Sequence, residues 1–426
     1  MTTDKVLLVD VPGDLNVPNI GLGAFAARCR SIALDVSVMH SLPRERWQES
    51  VYRVIERRKP RVVGFSIHCT TVRQALEWVA TCGSLLPVDT AVVFGGPQAS
   101  NELADQSLAQ SYGVEYRPTS FEMSSLPGKS ASPHTVYVYE SDLDMTYVPA
   151  YEDWNVAAFA DYPMLFSSGC PNNCSFCGLC NTPWRVRSRT AALEELRTYP
   201  LKFNSSRITI WDSNFACLRA HALPIAHQLN EVVRLPWRAN GVCLKDCVDL
   251  ELLKGLAALG CYQLYFGIET IHGGMLRAKG GDALSAKLAN HLLDYMREIG
   301  IISIGSFICG LENETTASTY EAFEEASHIH FDYQVWSLPI PMPNTPLLDY
   351  VQARGRHLRD YRLCSYQYPV VAFDTPEFPA RDRMRAIRFI QSRTQENKSA
   401  FTRRQQLVFE RAVAAMCGNT KHSEGV

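Results

Sequence analysis

Strands alternating with helices along most of the chain place this sequence in the α/β class. Three observations carry that prediction. Short apolar runs such as KVLLVD, RVVGFS and TAVVFGG end in turn residues and are separated by stretches of helical spacing such as VRQALEWVATC. After residue 160, strand-plus-helix units follow one another until about residue 350, and polar residues gather where the runs end. The prediction is a Rossmann-like domain over 1–112, a link over 113–160, a partial (β/α)6 TIM barrel over 161–350, and a loop and helical extension over 351–426.

Composition narrows the function. The chain has 426 residues, 46% of them hydrophobic and 20% charged, with a formal net charge of -2. That is an ordinary globular balance with no global basic field for nucleic acid. The start, MTTDKVLLVDVPGD, does not read as a signal peptide, and no run of about 18 apolar residues offers a membrane span. Fourteen cysteines without a secretory signal point to a reducing, cytoplasmic setting in which thiols serve metals or catalysis.

In the first domain, KVLLVDVPGD is a buried parallel strand ending in a turn, and PNIGLGAFAARCRSIALDVSVMH is a loop, a helix and a strand. PRVVGFSIHCTT and TAVVFGGPQAS supply two more strands. Ligands of doubly wound sheets sit at the carboxyl ends of strands. Those ends carry Asp10, Ser66, His68, Thr70, Gly95, Gly96 and Gln98. Residues 101–140 are Ser-rich and weakly periodic.

The densest chemistry lies in MLFSSGCPNNCSFCGLC, residues 164–180, with cysteines spaced C-x3-C-x2-C-x2-C. Gly, Pro and Asn keep the loop short, so that several thiolates face one point. Zinc sites bring two separated ligand pairs, and CLKDC at 243–247 is a poor second pair. Four-thiolate ligation would add Cys180, but ferredoxin spacing is C-x2-C-x2-C-x3-C. The remaining reading uses Cys170, Cys174 and Cys177 and leaves one iron of a [4Fe–4S] cluster open.

The spacing of Cys170, Cys174 and Cys177, with Phe176 before the third, resembles the radical SAM superfamily. Downstream stretches add to the likeness: RITIWDSNFAC, WRANGVCLKDC, YFGIET, GMLRAKGGD, IISIGSFICGLENET and WSLPIPMPNTPLLDYV. Glu312, Asn313 and Asn344 stand where the family has Pro, Gly and Gly. The stretches IGLGAFAARCR, VVGFSIHCTT and VVFGGPQAS resemble the cobalamin-binding domain that precedes many of these barrels. The D-x-H-x-x-G motif is absent, and Gln98 replaces a His after Gly-Gly-Pro. The resemblance implies a [4Fe–4S] cluster on the three cysteines and S-adenosylmethionine on the open iron. Glu269 is implied as an acceptor for SAM, with Asp212, Asn214, Arg238 and Asn240 on the SAM and substrate face. The shortened first domain leaves cobalamin open.

Three functions follow. The first is a radical SAM transferase of natural-product or antibiotic biosynthesis, most simply a cobalamin-dependent methyltransferase acting on a small molecule and fed by a flavodoxin or ferredoxin. The second is cobalamin-independent transfer of the 3-amino-3-carboxypropyl group of SAM to a thiophilic acceptor such as trivalent arsenic, as in arsinothricin-type biosynthesis. It would use Cys180, Cys243, Cys247, Cys364 or Cys417 as soft ligands. The third is a redox or scaffold protein whose cluster is held by all four cysteines. No nucleic acid or membrane partner is expected. The arginines of the last helical stretch, 381–416, are expected on a solvated face.

Overall fold

The computed structural model describes residues 4–12, 18–40, 46–87, 89–96, 98–119, 134–139, 147–151, 159–179, 182–215, 219–277, 283–364 and 369–418. The chain divides into two compact units, Met1–Phe159 with Lys202–Asn204, and Ala160–Leu201 with Ser205–Val426.

The first unit is built on six strands: β1 (Lys5–Asp10), β2 (Asp35–Met39), β3 (Val62–Ser66), β4 (Ala91–Gly95), β5 (Glu115–Thr119) and β6 (Thr135–Tyr139). They lie in the order β2-β1-β3-β4-β6-β5, and every pair is parallel. Helices α1 (Ile20–Ser31), α2 (Trp47–Arg58), α3 (Val72–Cys82), α4 (Ala99–Ala104) and α5 (Ser107–Ser111) connect them. A parallel sheet buried on both faces needs unbroken apolar strands, and Leu7, Leu8 and Val9 are buried in succession. Phe65 centres the core, with its ring 5.0 Å from Trp78, 5.8 Å from Phe94 and 6.5 Å from Trp47. The strand order reverses at β1 and β3, where such sheets open a crevice.

Strands β5 and β6 correct the expected 113–160 link. Five-residue runs, EYRPT and TVYVY, are too short for alternation to register beside a Ser-rich stretch. Pro118 is tolerated because β5 is an edge strand. The first unit therefore extends to Phe159.

The second unit carries β7 (Asp161–Met164), β8 (Arg207–Ile210), β9 (Trp237–Val242), β10 (Cys261–His272), β11 (Ile302–Ile308) and β12 (Tyr333–Ser337). They pair side by side in chain order, all parallel. A helix follows each: α6 (Arg189–Lys202), α7 (Arg219–Val232), α8 (Leu250–Ala258), α9 (Ala286–Glu298), α10 (Thr316–Ser327) and α11 (Pro346–Arg354). Asp249, Ser285, Thr315 and Thr345 start α8 to α11 by accepting backbone N–H bonds on their side-chain oxygens. Among the described residues β7 and β12 do not pair, so this is an open, partial (β/α)6 barrel.

Helices α12 (Ala380–Gln395) and α13 (Lys398–Gly418) belong to this second unit rather than standing apart. Arg383 of α12 is buried and donates to the carbonyls of Phe378 at 2.9 Å and Gly310 at 2.7 Å. Burial lowers its pKa to about 10. Helix α13 sets Val408, Phe401 and Phe409 against Tyr262, Ile302, Ile304 and Tyr333, which begin β10, β11 and β12. Several arginines of the two helices are paired: Arg404 with Asp332 at 2.7 Å and Arg393 with Glu396 at 3.1 Å.

Candidate active site

The cysteine loop leaves the carboxyl end of β7. Gly169 opens it with φ 73°, and a Cβ there would sit 2.1 Å from the Pro183 carbonyl oxygen, so no other residue fits. The loop is tied back on itself. Cys170 N donates to Thr182 Oγ1 at 3.2 Å, Ser167 and Ser168 pair with Val186 and Arg185, and Ser175 O accepts from Leu347 N at 2.9 Å. Phe176 packs with Ile340 and Leu347. Cys170 and Cys174 are buried and Cys177 is half-buried. Leu179 N points at Cys177 Sγ, 3.4 Å away, a contact that favours a thiolate.

Three closely spaced soft thiols, fixed by backbone and capped by an N–H donor, fit an iron–sulfur cluster. Among the described residues no three His, Cys, Asp or Glu side chains converge tightly enough for a single metal ion.

The strand ends beside this loop are irregular. At the end of β9 the register with β10 shifts between Ala239 and Val242, and Gly241 takes φ 65°. A Cβ on Gly241 would lie 2.6 Å from the carbonyl oxygens of both Asp212 and Ser213. The bulge therefore lets β9 press onto the end of β8. Asn240, on that bulge, is half-buried, and its side chain makes no hydrogen bond among the described residues. Asn214 is buried; its Nδ2 faces Cys243 Sγ at 3.8 Å, and its Oδ1 has no partner among the described residues. Asn172, from the cysteine loop, reaches the same sulfur at 3.5 Å. In the sequence Asn172 is indistinguishable from one more turn residue.

Glu269 lies at a second bulge, where the β10–β11 register shifts between Gly267 and Glu269. Its φ is 66°, a left-handed conformation that costs a non-glycine residue roughly 1–3 kcal/mol. Burial, with the nearby Glu269 charge as a lesser cause, raises the Tyr265 pKa.

Two expected residues take other roles. Asp212 is buried, and its carboxylate accepts from Phe166 N and Ser167 Oγ, each at 2.7 Å, with His221 Nε2 at 3.4 Å. It is an anchor for the strand that leads into the cysteine loop, not a ligand-facing group. Arg238 is the second residue of β9, so it lies at the amino end of the barrel strands. There it donates to Thr209 Oγ1 at 2.8 Å and pairs with Asp161.

The other thiols resemble packed apolar side chains. Cys243, Cys247 and Cys364 are buried, and burial pushes the Cys247 thiol well above its ordinary range. Cys180 and the Cys417 side chain lie outside the described residues, as does Lys279 of the GMLRAKGGD stretch.

At the carboxyl edge of the first sheet, Asp10, Ser66 and Gly95 are neighbours across β1, β3 and β4. Asn19 donates to Asp10 at 2.9 Å and to Ser66 at 3.2 Å, and His40 contacts Asp10 at 2.9 Å. His68 bonds Thr70 at 2.9 Å, and Gln98 donates to the buried Glu102 at 3.1 Å.

No protein-family model matches the chain. It is 22% identical to an uncharacterized methyltransferase of Pyrococcus horikoshii over 398 residues, 83% of this chain and 84% of that protein. It is 30% identical to the hopanoid C-2 methylase of Rhodopseudomonas palustris over 243 residues, 53% of this chain and 44% of that protein. Among solved structures, the radical SAM methyltransferase TsrM of Kitasatospora setae, with tryptophan and a SAM analogue bound, matches with a TM-score of 0.64 at 17% identity. The match covers 84% of this chain and 79% of that one. OxsB, a cobalamin-dependent SAM radical enzyme with aqua-cobalamin and SAM bound, matches with a TM-score of 0.56 at 14% identity, over 82% of this chain and 55% of that one. The chain has the fold of the cobalamin-dependent radical SAM enzymes. That is the order expected from sequence, a Rossmann-like unit followed by a partial barrel. TsrM has also been solved with cobalamin and a [4Fe–4S] cluster. No helix among the described residues is long and apolar enough to cross a membrane.

Proposed function

We propose that this chain is a radical SAM methyltransferase that acts on a small molecule of natural-product biosynthesis in the cytoplasm, reduced by a flavodoxin or ferredoxin. Cys170, Cys174 and Cys177 hold a [4Fe–4S] cluster, the barrel binds SAM, and the first unit binds cobalamin. The observation that supports this most is the three-thiol loop at the end of β7, joined through Asn172 to the strand ends that carry Asn214 and Cys243. When bound, the reduced cluster supplies the electron that breaks a carbon–sulfur bond of SAM, and cobalamin supplies a methyl carrier.

The chain's own part is positioning. The buried walls around Cys170 and Cys174 keep water from the thiolates. Asp212 holds Phe166 and Ser167 so that the loop starts at a fixed place. Glu269 offers a carboxylate for the amino group or ribose of SAM, and its strained backbone fixes where that charge stands. The Asn214 and Asn240 amides complete the polar lining. Burial pushes the Cys247 thiol well above its ordinary range, which weighs against that residue as a soft ligand for arsenic.

The test is anaerobic reconstitution with iron and sulfide, then addition of SAM, cobalamin and a reductant, with products identified by mass. Methyl transfer through hydrogen abstraction yields 5′-deoxyadenosine and S-adenosylhomocysteine. Methylthioadenosine in their place would establish aminocarboxypropyl transfer instead, and a cluster with no response to SAM would remove the assignment.

A further inference from the structure

The amino ends of β7, β8 and β9 carry a charge cluster that the proposed reaction does not use. Asp161 begins β7, Arg207 begins β8 and Arg238 is second in β9. The Asp161 carboxylate accepts from Arg207 Nε at 3.1 Å, from Arg238 and from Thr209 Oγ1, and Arg238 Nε also donates to Thr209 Oγ1. One carboxylate thus answers two guanidinium groups, leaving one net positive charge. Both Nη atoms of Arg207 and Nη1 of Arg238 have no acceptor among the described residues.

These donors line a cavity of about 90 Å³ together with Tyr262, Gln405, Gln406 and Phe409. The last three come from α13, which covers this end of the strands. The Arg207 guanidinium lies over the Phe409 ring at 5.8 Å, so its orientation is set before any ligand arrives. Burial raises the Tyr262 phenol to about 12, so it stays a protonated donor at neutral pH. Guanidinium groups present paired N–H donors that match the oxygens of a phosphate better than a spherical anion such as chloride.

We propose that this cavity is a phosphate-binding site, filled by inorganic phosphate or by the phosphoryl group of a metabolite. It lies at the opposite strand ends from Cys170, Asn214 and Glu269, so its ligand is not the methylated substrate. Because α13 supplies half of the lining, occupancy ties the C-terminal helix to the barrel strands.

The experiment follows thermal unfolding of the full-length protein in inorganic phosphate, in glycerol phosphate and in malonate, each against chloride of equal ionic strength. A ligand that binds only the folded state raises the Tm with saturation. The expected result is a saturable rise of several degrees with either phosphate compound and none with malonate. Inorganic phosphate acting alone identifies the free ion, and glycerol phosphate acting more strongly identifies a phosphoryl metabolite. Arg207→Gln should abolish the rise. Gln406→Glu leaves the Asp161 cluster untouched, brings a negative charge to the cavity wall and should abolish it too, which covers the case in which Arg207→Gln fails to fold. A rise no larger than that in chloride, an equal rise with malonate, or an undiminished rise in Gln406→Glu would overturn the proposal.

Discussion

The carboxyl edges of the two sheets are finished in opposite ways. In the first unit several polar residues there bond one another: Asn19 bridges Asp10 and Ser66, His68 meets Thr70 and Gln98 meets Glu102. In the second unit the edge is broken by two bulges, holds Glu269 in a left-handed conformation and leaves Asn214 Oδ1 buried without a partner among the described residues. A buried polar atom left unbonded costs about 1–3 kcal/mol. Such costs persist where a ligand recovers them, so the second edge has the construction of a binding surface.

The sharpest way to break this contrast is at the cysteine loop. Cys170→Ala, Cys174→Ala or Cys177→Ala should each abolish the cluster absorbance after reconstitution and all SAM cleavage, since three thiolates are the fewest that leave one iron open. Full SAM cleavage by any of the three variants would end the cluster assignment.

Next in size is a pair of carboxylates that the sequence puts on one face, Glu269 ahead of Asp212, and that the structure separates. Asp212→Ala leaves Phe166 N–H and the Ser167 hydroxyl without their acceptor, and should destabilise the fold by about 2–4 kcal/mol in urea unfolding. Glu269→Gln should leave stability unchanged but weaken SAM binding by about 1.5–3 kcal/mol, roughly 10- to 150-fold, measured by equilibrium binding to the reconstituted protein. If SAM affinity is unchanged in Glu269→Gln, that residue leaves the site.

A smaller effect is expected at the satisfied edge. Asp10→Ala should cost about 1–3 kcal/mol of stability, because Asn19 loses its acceptor and the buried His40 loses its charged neighbour. Cobalamin affinity, read by absorbance titration, should stay within about twofold if the network only packs the sheet. A loss of cobalamin binding with stability intact would show that the edge is a ligand surface.

The smallest readout is chemical. In the folded apoprotein at pH 8, Cys29, Cys247, Cys261 and Cys309 should stay unreactive to a thiol reagent until denaturant is added, because burial raises all four pKa values. Fast labelling of Cys247 would reopen the reading of these thiols as soft ligands.

Much of the fold is legible in the sequence because parallel strands buried on both faces leave uninterrupted apolar runs, as in KVLLVD and AVVFG. Strands β5 and β6 were not, since five residues next to a Ser-rich stretch give no usable period. The cysteine loop is legible because its chemistry depends on local spacing. Arg238 and Asp212 were misplaced for a different reason. Their types suit a site, but their partners, Asp161 and Phe166, are 77 and 46 residues away in the chain. Asn313 and Asn344 explain why the departures from the family's glycines are tolerated. They take φ 62° and 59°, and asparagine is the side chain that most readily stands in for glycine there.

The bond from Arg383 to the Gly310 carbonyl bears on how the protein is made. The turn after β11 is synthesised some seventy residues before the arginine that completes it, and the pair is separated by 73 positions. Until α12 emerges from the ribosome, that carbonyl and the Phe373 and Phe378 rings that flank the guanidinium, at 4.3 and 4.6 Å, have nothing between them. The growing chain therefore completes its fifth barrel unit only once α12 has been made. A nascent chain halted before residue 380 should remain bound to chaperones and open to protease at that turn.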